Sequence, residues 1–274
     1  MSLIKEIIVV SNFPDESAER EDKKLAEALS AYSSTKLELL SDLSVENIRD
    51  TSVYLFRCIY DNSVGSVVKD MKPIYAHLHS KKIPYLTVYN GKGDQQGKRY
   101  LANLYAMGYP IVPTFTSPNE ALYYPAEEYL IKPIFGGTGK GIRRILKKDM
   151  THLDIDNTFV IQPRLEATFE TSYLYIDDKF QFALKTRNDR WDLVVYEPTG
   201  DELGFVQKFV VWNPIKGIQR IDCLWTTGGT QYLLELEDWC PFLSLFDSEN
   251  VPRKAFMANL FASLQSFDYD SLHI

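Results

Sequence analysis

Apolar and polar positions alternate along the chain with a spacing that shifts between strand and helix. Ile4–Val10 is a compact apolar run, as expected of a buried strand, and Ser11–Ser17 with Pro14 is a turn. Ala18–Ala31 places Leu25, Ala28 and Leu29 on one side at helical spacing. Lys36–Leu40 and Val53–Ile59 read as further strands. Val64–Ser80 reads as a helix kinked or divided at Pro73, and Pro84–Tyr89 returns to strand. This β-α-β alternation predicts a small, mostly parallel sheet with helices on its faces.

Asn90-Gly-Lys-Gly-Asp94 looks like a linker break. Gln96–Met107 follows as a helix stopped by Gly108, then Ile111–Phe115 as a strand. Thr158–Gln162 is a strand ending at Pro163. Beyond Thr168 the pattern is mostly β, with strands at Ser172–Ile176, Phe180–Lys185, Trp191–Tyr196, Ile218–Thr226 and Thr230–Leu236. Helices are predicted at Glu202–Val211 and Arg253–Phe267, the latter with Phe256, Leu260, Leu264 and Phe267 on one side. The expected division is an N-terminal α/β unit over 1–92, a central unit over 93–163 and a C-terminal, β-rich unit over 164–274. The fold class is mixed α/β and α+β.

Two stretches carry candidate chemistry. The first runs from Tyr129 to Leu146 as strand, glycine loop, strand. Apolar Tyr129–Ile131 delivers Lys132 at a strand end, and Gly136, Gly137, Gly139 and Gly141 fall within six residues. Glycine lets backbone N–H groups turn toward an anion with no Cβ in the way. Lys132, Lys140, Arg143 and Arg144 add positive charge, so the loop reads either as one built to lie over phosphates or as a mobile hairpin turn rich in glycine. It is not a Walker A loop: Gly141 follows Lys140, and Ile134 stands five before Gly139.

The second stretch is Asp222 to Glu237. Gly228-Gly229 between two apolar runs signals a two-residue hairpin. Counting outward from that turn sets Asp222 opposite Glu235 and Arg220 opposite Glu237. Asp222, Glu235 and Glu237 then project from one face, and Tyr232, Leu234 and Leu236 from the other, toward a core. Opposed carboxylates repel. A divalent cation held by oxygen ligands would relieve that; so would a solvated face with Arg220 as local partner.

Composition narrows the partners. With 274 residues, 45% hydrophobic and 24% charged, this is a globular chain with ample core. A net charge of −7 argues against general nucleic-acid binding. Cys58, Cys223 and Cys240 are scattered without a C-x-x-C pair, which fits a reducing cytoplasm. No apolar run is long enough to span a bilayer, and the start has no signal-peptide pattern. Arg57, Arg164 and Arg190 read as solvated arginines, and His77 and His79 as surface or packing residues.

Taken together, these motifs resemble the ATP-grasp superfamily over roughly Lys98 to Pro241. Its K-P-x-x-G-x-x-G-x-G pattern is close to Lys132-Pro-Ile-Phe-Gly-Gly-Thr-Gly-Lys-Gly141. Its hinge strand looks like Phe159-Val-Ile-Gln-Pro-Arg-Leu165, and its D…E-x-N metal motif resembles Asp222…Glu235-Leu-Glu237. Glu237 departs from the usual Asn. A Glu-x-Glu version is found in branches resembling D-cycloserine synthetase, and the added charge needs a cation such as Arg220.

The resemblance implies an ATP-grasp fold with a central lid and an antiparallel C-terminal sheet, binding ATP and Mg²⁺, with Mn²⁺ as a substitute. Lys98, Lys132 and the loop residues Gly136, Gly137, Thr138, Gly139, Lys140 and Gly141 would contact the nucleotide. Gln162, Pro163, Arg164 and Leu165 would bind adenine through the backbone. Glu166 or, by preference, Glu170 would hold the ribose. Asp222, Glu235 and Glu237 would hold the metal. Lys185 or Arg187 would steady the γ-phosphate or an acylphosphate, with Arg220 as a further candidate catalytic residue. The implied substrates are a small-molecule or peptide carboxylate and an amine; no nucleic acid or membrane partner is implied, and a homodimer is compatible. Three functions fit: an ADP-forming carboxylate–amine ligase, a small-molecule kinase on the same fold, and a non-catalytic nucleotide-binding regulator.

Overall fold

The computed structural model describes residues 6–13, 15–57, 70–88, 90–137, 139–153, 155–187, 192–239 and 241–267. The chain opens with β1 (Glu6–Ser11), α1 (Glu16–Leu29), β2 (Ser34–Leu39), β3 (Ser52–Phe56), α2 (Lys72–Ser80) and β4 (Tyr85–Leu86). The four strands form a parallel sheet in the order β2-β1-β3-β4. The apolar runs of β1 and β3 are buried on both faces, as a helix-covered parallel sheet requires. Asp15 caps α1 by accepting from the Ala18 N–H. Pro73 falls in the first turn of α2, where its missing N–H costs nothing, so it begins the helix rather than dividing it.

Next come α3 (Arg99–Ala106) and α4 (Pro118–Leu122). They lead into an antiparallel sheet ordered β6-β5-β7, built from β5 (Glu128–Pro133), β6 (Arg143–Leu146) and β7 (Phe159–Pro163). The strand expected at Ile111–Phe115 is instead divided between two sheets. Val112 N–H donates to Leu233, while Phe115 exchanges both backbone hydrogen bonds with Ile161 of β7. Pro113, with no N–H, lies at the changeover.

The rest of the chain forms a five-stranded antiparallel sheet, order β10-β9-β8-β11-β12. Its strands are β8 (Ala167–Ile176), β9 (Lys179–Thr186), β10 (Leu193–Tyr196), β11 (Ile218–Thr226) and β12 (Gln231–Glu237). One face packs on α5 (Gly200–Trp212) and α3 through Tyr173, Ile221, Cys223, Leu233 and Leu236. Part of the other face, with Leu174, Phe182 and Leu184, packs on α6 (Arg253–Gln265) and the first sheet. The remainder of that second face carries the acidic residues. Among the described residues no helix is long and apolar enough to cross a membrane. Cys223 is a buried free thiol; Cys58, Cys240 and Arg190 lie outside the described residues.

Two expectations are reversed. The segment read as a linker break is a packed knot. Gly93 and Gln95 donate backbone N–H groups to Asp238, at 2.8 Å each, and the Lys92 N–H donates to Asn213. A Cβ on Gly93 would lie 2.7 Å from the Leu236 carbonyl, and one on Gly91 2.2 Å from Asp238, so only glycine fits here. Arg57 is not solvated either. It lies 3% exposed between Asp22 (2.9 Å) and Glu21 (3.1 Å), and it donates to the Pro241 carbonyl. Burial raises the Glu21 carboxyl to about 7, against the pull of Arg57.

Removing one partner of a buried ion pair strands the other charges, at about 3–5 kcal/mol. Arg57→Met is expected to lose that much stability at neutral pH. The loss should grow as the pH rises above about 7, where the wild-type Glu21 carboxyl ionises beside Arg57 and the variant's cannot do so as readily, and level off below it, where Glu21 is protonated with or without Arg57. Urea melts across that range test both statements; a pH-independent loss would contradict the second.

Candidate active site

The hairpin of β11 and β12 sets Asp222 opposite Glu235 and Arg220 opposite Glu237, as counted from sequence. It reaches that register differently. The turn has three residues, since Thr226 pairs with Thr230, and Leu234 is an extra bulged residue between the Cys223–Leu233 and Asp222–Glu235 pairs. The longer turn and the bulge cancel. Between them the facing differs from expectation: Leu233, not Leu234, enters the core, and Tyr232 shares a face with Leu224 and Asp222.

One carboxylate oxygen from each of Asp222, Glu235 and Glu237 lies within 4.8 Å of the others. The face is not solvated. Asp222 is 7% exposed, and the Glu235 and Glu237 side chains 22% and 20%. Arg220 grips both Asp222 oxygens at 2.9 and 2.8 Å, reaches Glu237 at 2.7 Å, and donates to the Phe242 carbonyl. It thereby supplies the balance that a Glu in place of Asn needs. Burial pushes the Glu237 carboxyl well above the usual range against the pull of Arg220. Burial acts the same way on Glu235, but Lys98 and Lys132 outweigh it and hold that carboxyl low.

Lys98, at the start of α3, crosses to Glu235 at 2.9 Å and also holds Asp94 at 2.8 Å and the Gly136 carbonyl at 3.2 Å. The glycine loop is thus tied to the acidic cluster through one lysine. Its root is anchored by the Lys98 N–H on the Ile134 carbonyl and by Phe135 edge-on to Trp239. Asp94, Lys98, Phe135, Gly136, Gly137 and Glu237 line a small pocket there. Lys132 is buried at the end of β5; burial lowers its ammonium and Glu235 restores part of the shift. Gly139 is half-buried, Lys140 and Gly141 are exposed, and Thr138 lies outside the described residues.

Several other expected residues are spread over the end of β7 and the start of β8. Gln162 pairs with Leu130, on the same face of the lid sheet as Lys132, and its amide donates to Thr114. Pro163 is buried and Leu165 half-buried, while the Arg164 side chain turns outward to Glu128. Arg144 joins the same Glu128, and Arg143 stacks over Phe159. Glu170 pairs with Leu224 on the Asp222 face, and its charge reaches Lys132; Glu166 is exposed.

Lys185 faces away from the acidic cluster. It pairs with Thr171, which pairs with Cys223, so strand alternation sends it to the opposite face from Asp222. There its ammonium stands 3.7 Å from the Phe169 ring centre. It does not join the carboxylates. Arg187 is exposed and paired with Asp192 at 2.9 Å. Conversely, sequence reasoning missed Asp94 and Tyr100. The only signal was the four-residue spacing of Asp94 and Lys98, hidden inside an apparent linker.

Three carboxylates, one buried and two half-buried, supply hard oxygen donors of the kind Mg²⁺ and Mn²⁺ take, and Lys98 and Lys132 stand beside them. The residues present therefore fit a metal–nucleotide site. A parallel sheet, an antiparallel lid with a glycine loop, and an antiparallel sheet carrying the acidic hairpin make up the ATP-grasp fold. Solved structures agree. A D-cycloserine synthetase matches with a TM-score of 0.66 at 19% identity, over 93% of this chain and 99% of that one. The ATP-grasp ligase PsnB complexed with a minimal precursor gives 0.67 at 16%, over 95% and 100%. D-alanine–D-alanine ligase from Bacillus anthracis gives 0.64 at 14%, over 95% and 96%. No protein-family model and no curated protein matches the sequence.

Loss of a charge-assisted contact to phosphate costs about tenfold or more in affinity. Lys132→Met is expected to weaken Mg·ADP binding by at least about that much, and Lys185→Met by about twofold or less. Calorimetric titration of both variants tests the facing; equal losses would put Lys185 back in the site.

Proposed function

We propose that this chain is an ATP-dependent, ADP-forming ligase joining a carboxylate to an amine. The observation that carries this reading is the Asp222, Glu235 and Glu237 cluster beneath Lys98, Lys132 and a glycine loop. The fold supports it, as do the solved neighbours, which are ligases and synthetases by name.

On this reading ATP lies between the lid sheet and the five-stranded sheet. The Gln162–Leu165 backbone takes the adenine edge. Glu170 takes the ribose, because it shares the Asp222 face and lies near Lys132, whereas Glu166 is exposed. Lys98, Lys132 and the N–H groups of the loop take the phosphates. A divalent cation on the three carboxylates would supply charge neutralisation as the phosphoryl group transfers. Arg220 holds Asp222 and Glu237 in place. A substrate carboxylate oxygen bonds to the γ-phosphorus and ADP leaves. The amine nitrogen then bonds to the acyl carbon, phosphate leaves, and the nitrogen gives up a proton. Phosphoryl transfer of this kind asks the protein for positioning and charge, not for a nucleophile, and the residues of the site match that demand.

Screening amino acids and small acids with Mg·ATP, while reading ADP and phosphate, tests the reaction. Phosphate release requiring both a carboxylate and an amine is the expected result; ADP release with a lone hydroxyl acceptor would mean a kinase. Glu235→Gln is expected to cut turnover by about a hundredfold or more with the fold intact. The loop around Gly136–Gly141 should gain hydrogen-exchange protection when Mg·ADP binds, and equal protection in both states would contradict its role as a lid.

A further inference from the structure

Lys98 has two carboxylate partners, and only one of them belongs to the metal cluster. Glu235 lies at 2.9 Å and Asp94 at 2.8 Å. Lys132 also acts on Glu235, while Arg220 and Asp238 are committed elsewhere. Arg220 serves Asp222 and Glu237, and Asp238 is filled by the Gly93 and Gln95 N–H groups and the Asn213 amide. If Glu235 is to bind a cation, Lys98 must be neutralised from elsewhere, and Asp94 stands in that place.

Asp94 is also fixed to an unusual degree. Its neighbours Gly93 and Gln95 are both pinned to Asp238, so its backbone cannot drift. The buried Tyr100 hydroxyl donates to Asp94 at 3.2 Å and accepts the Leu236 N–H at 2.6 Å. Leu236 lies between Glu235 and Glu237. One chain of contacts therefore runs from the strand bearing those carboxylates, through Tyr100 and Asp94, to Lys98, and back to Glu235.

We propose that Asp94, oriented by Tyr100, is a positioning residue that holds Lys98 at the nucleotide site and so frees Glu235 for a metal ion. This rests on the functional reading given above. Without the Asp94 charge, Lys98 has only Glu235 as counter-ion, and the ammonium competes with a metal for the same oxygens. With it, the lysine keeps a carboxylate partner and its place while Glu235 changes partners. Tyr100 of α3, itself held by the Leu236 N–H of β12, sets the direction of the Asp94 carboxylate, so the alignment of lysine and metal ligands is built into one hydrogen-bonded unit.

A double-mutant cycle read by Mn²⁺ binding to the nucleotide-free protein, from the free-ion electron paramagnetic resonance signal, tests this. Asp94→Asn is expected to weaken Mn²⁺ binding by about tenfold, and Lys98→Met to leave it equal or tighter. In the Lys98→Met background, Asp94→Asn should cost about threefold or less, because no lysine is left to compete. Tyr100→Phe should act in the same direction as Asp94→Asn, more weakly, and again only when Lys98 is present. It carries the test if Asp94→Asn does not fold, as judged by thermal melting. An Asp94→Asn effect of the same size in both backgrounds, or none in either, overturns the proposal. Wild-type protein that binds no Mn²⁺ removes the metal reading itself, and that outcome is decided before any variant is made.

Discussion

Three carboxylates crowded on one largely covered sheet face are the constraint around which this molecule is arranged. At separations within 4.8 Å and an effective dielectric of about 20, each like-charge pair costs roughly 3–4 kcal/mol. A domain is stable by only about 5–15 kcal/mol in total, so the cluster survives only with cations beside it. Arg220 provides one from the same strand. Lys98 and Lys132 provide two more from parts of the chain far off in sequence. These same cations stand where a triphosphate would add negative charge and a divalent ion would offset it.

The fold delivers each cation from a rigid base. Arg220 alternates with Asp222 on β11, so the strand repeat alone brings them together. Lys98 is held by the knot that Asp238 makes of residues 90–95, and Lys132 by the end of β5. The glycine loop between β5 and β6 leaves Lys140 and Gly141 exposed. A fixed acidic floor under a deformable cover suits a substrate that must enter, be shielded from water, and leave.

Much of this was legible in the sequence, for definite reasons. The strand–glycine loop–strand pattern and the order of the three sheets follow from apolar spacing and turn residues. The Asp222–Glu235 pairing also emerged correctly, but only because a three-residue turn and a bulge at Leu234 offset each other; the facing of Tyr232 and Leu234 shows that the count was right without the path being right. The face that Lys185 takes depends on the pairing of β9 with β8, which no local pattern reveals. Arg57 and Asp94 were hidden for a related reason. Burial of a charge is decided by distant partners: Glu21 and Pro241 for Arg57, Tyr100 and Lys98 for Asp94. A glycine-rich polar run reads as a linker until Asp238 is known to fill it.

The central claim is that the acidic face holds a divalent cation against a bound triphosphate. Anomalous scattering from a crystal soaked with Mn²⁺ and a non-hydrolysable ATP analogue tests it most directly. The account predicts a peak bonded to oxygens of Asp222, Glu235 and Glu237 at about 2.0–2.3 Å, with phosphate oxygens completing the shell and Lys98 turned from Glu235. A nucleotide bound elsewhere, or the three side chains still paired only with Arg220 and Lys98 at saturating Mn²⁺, would contradict it.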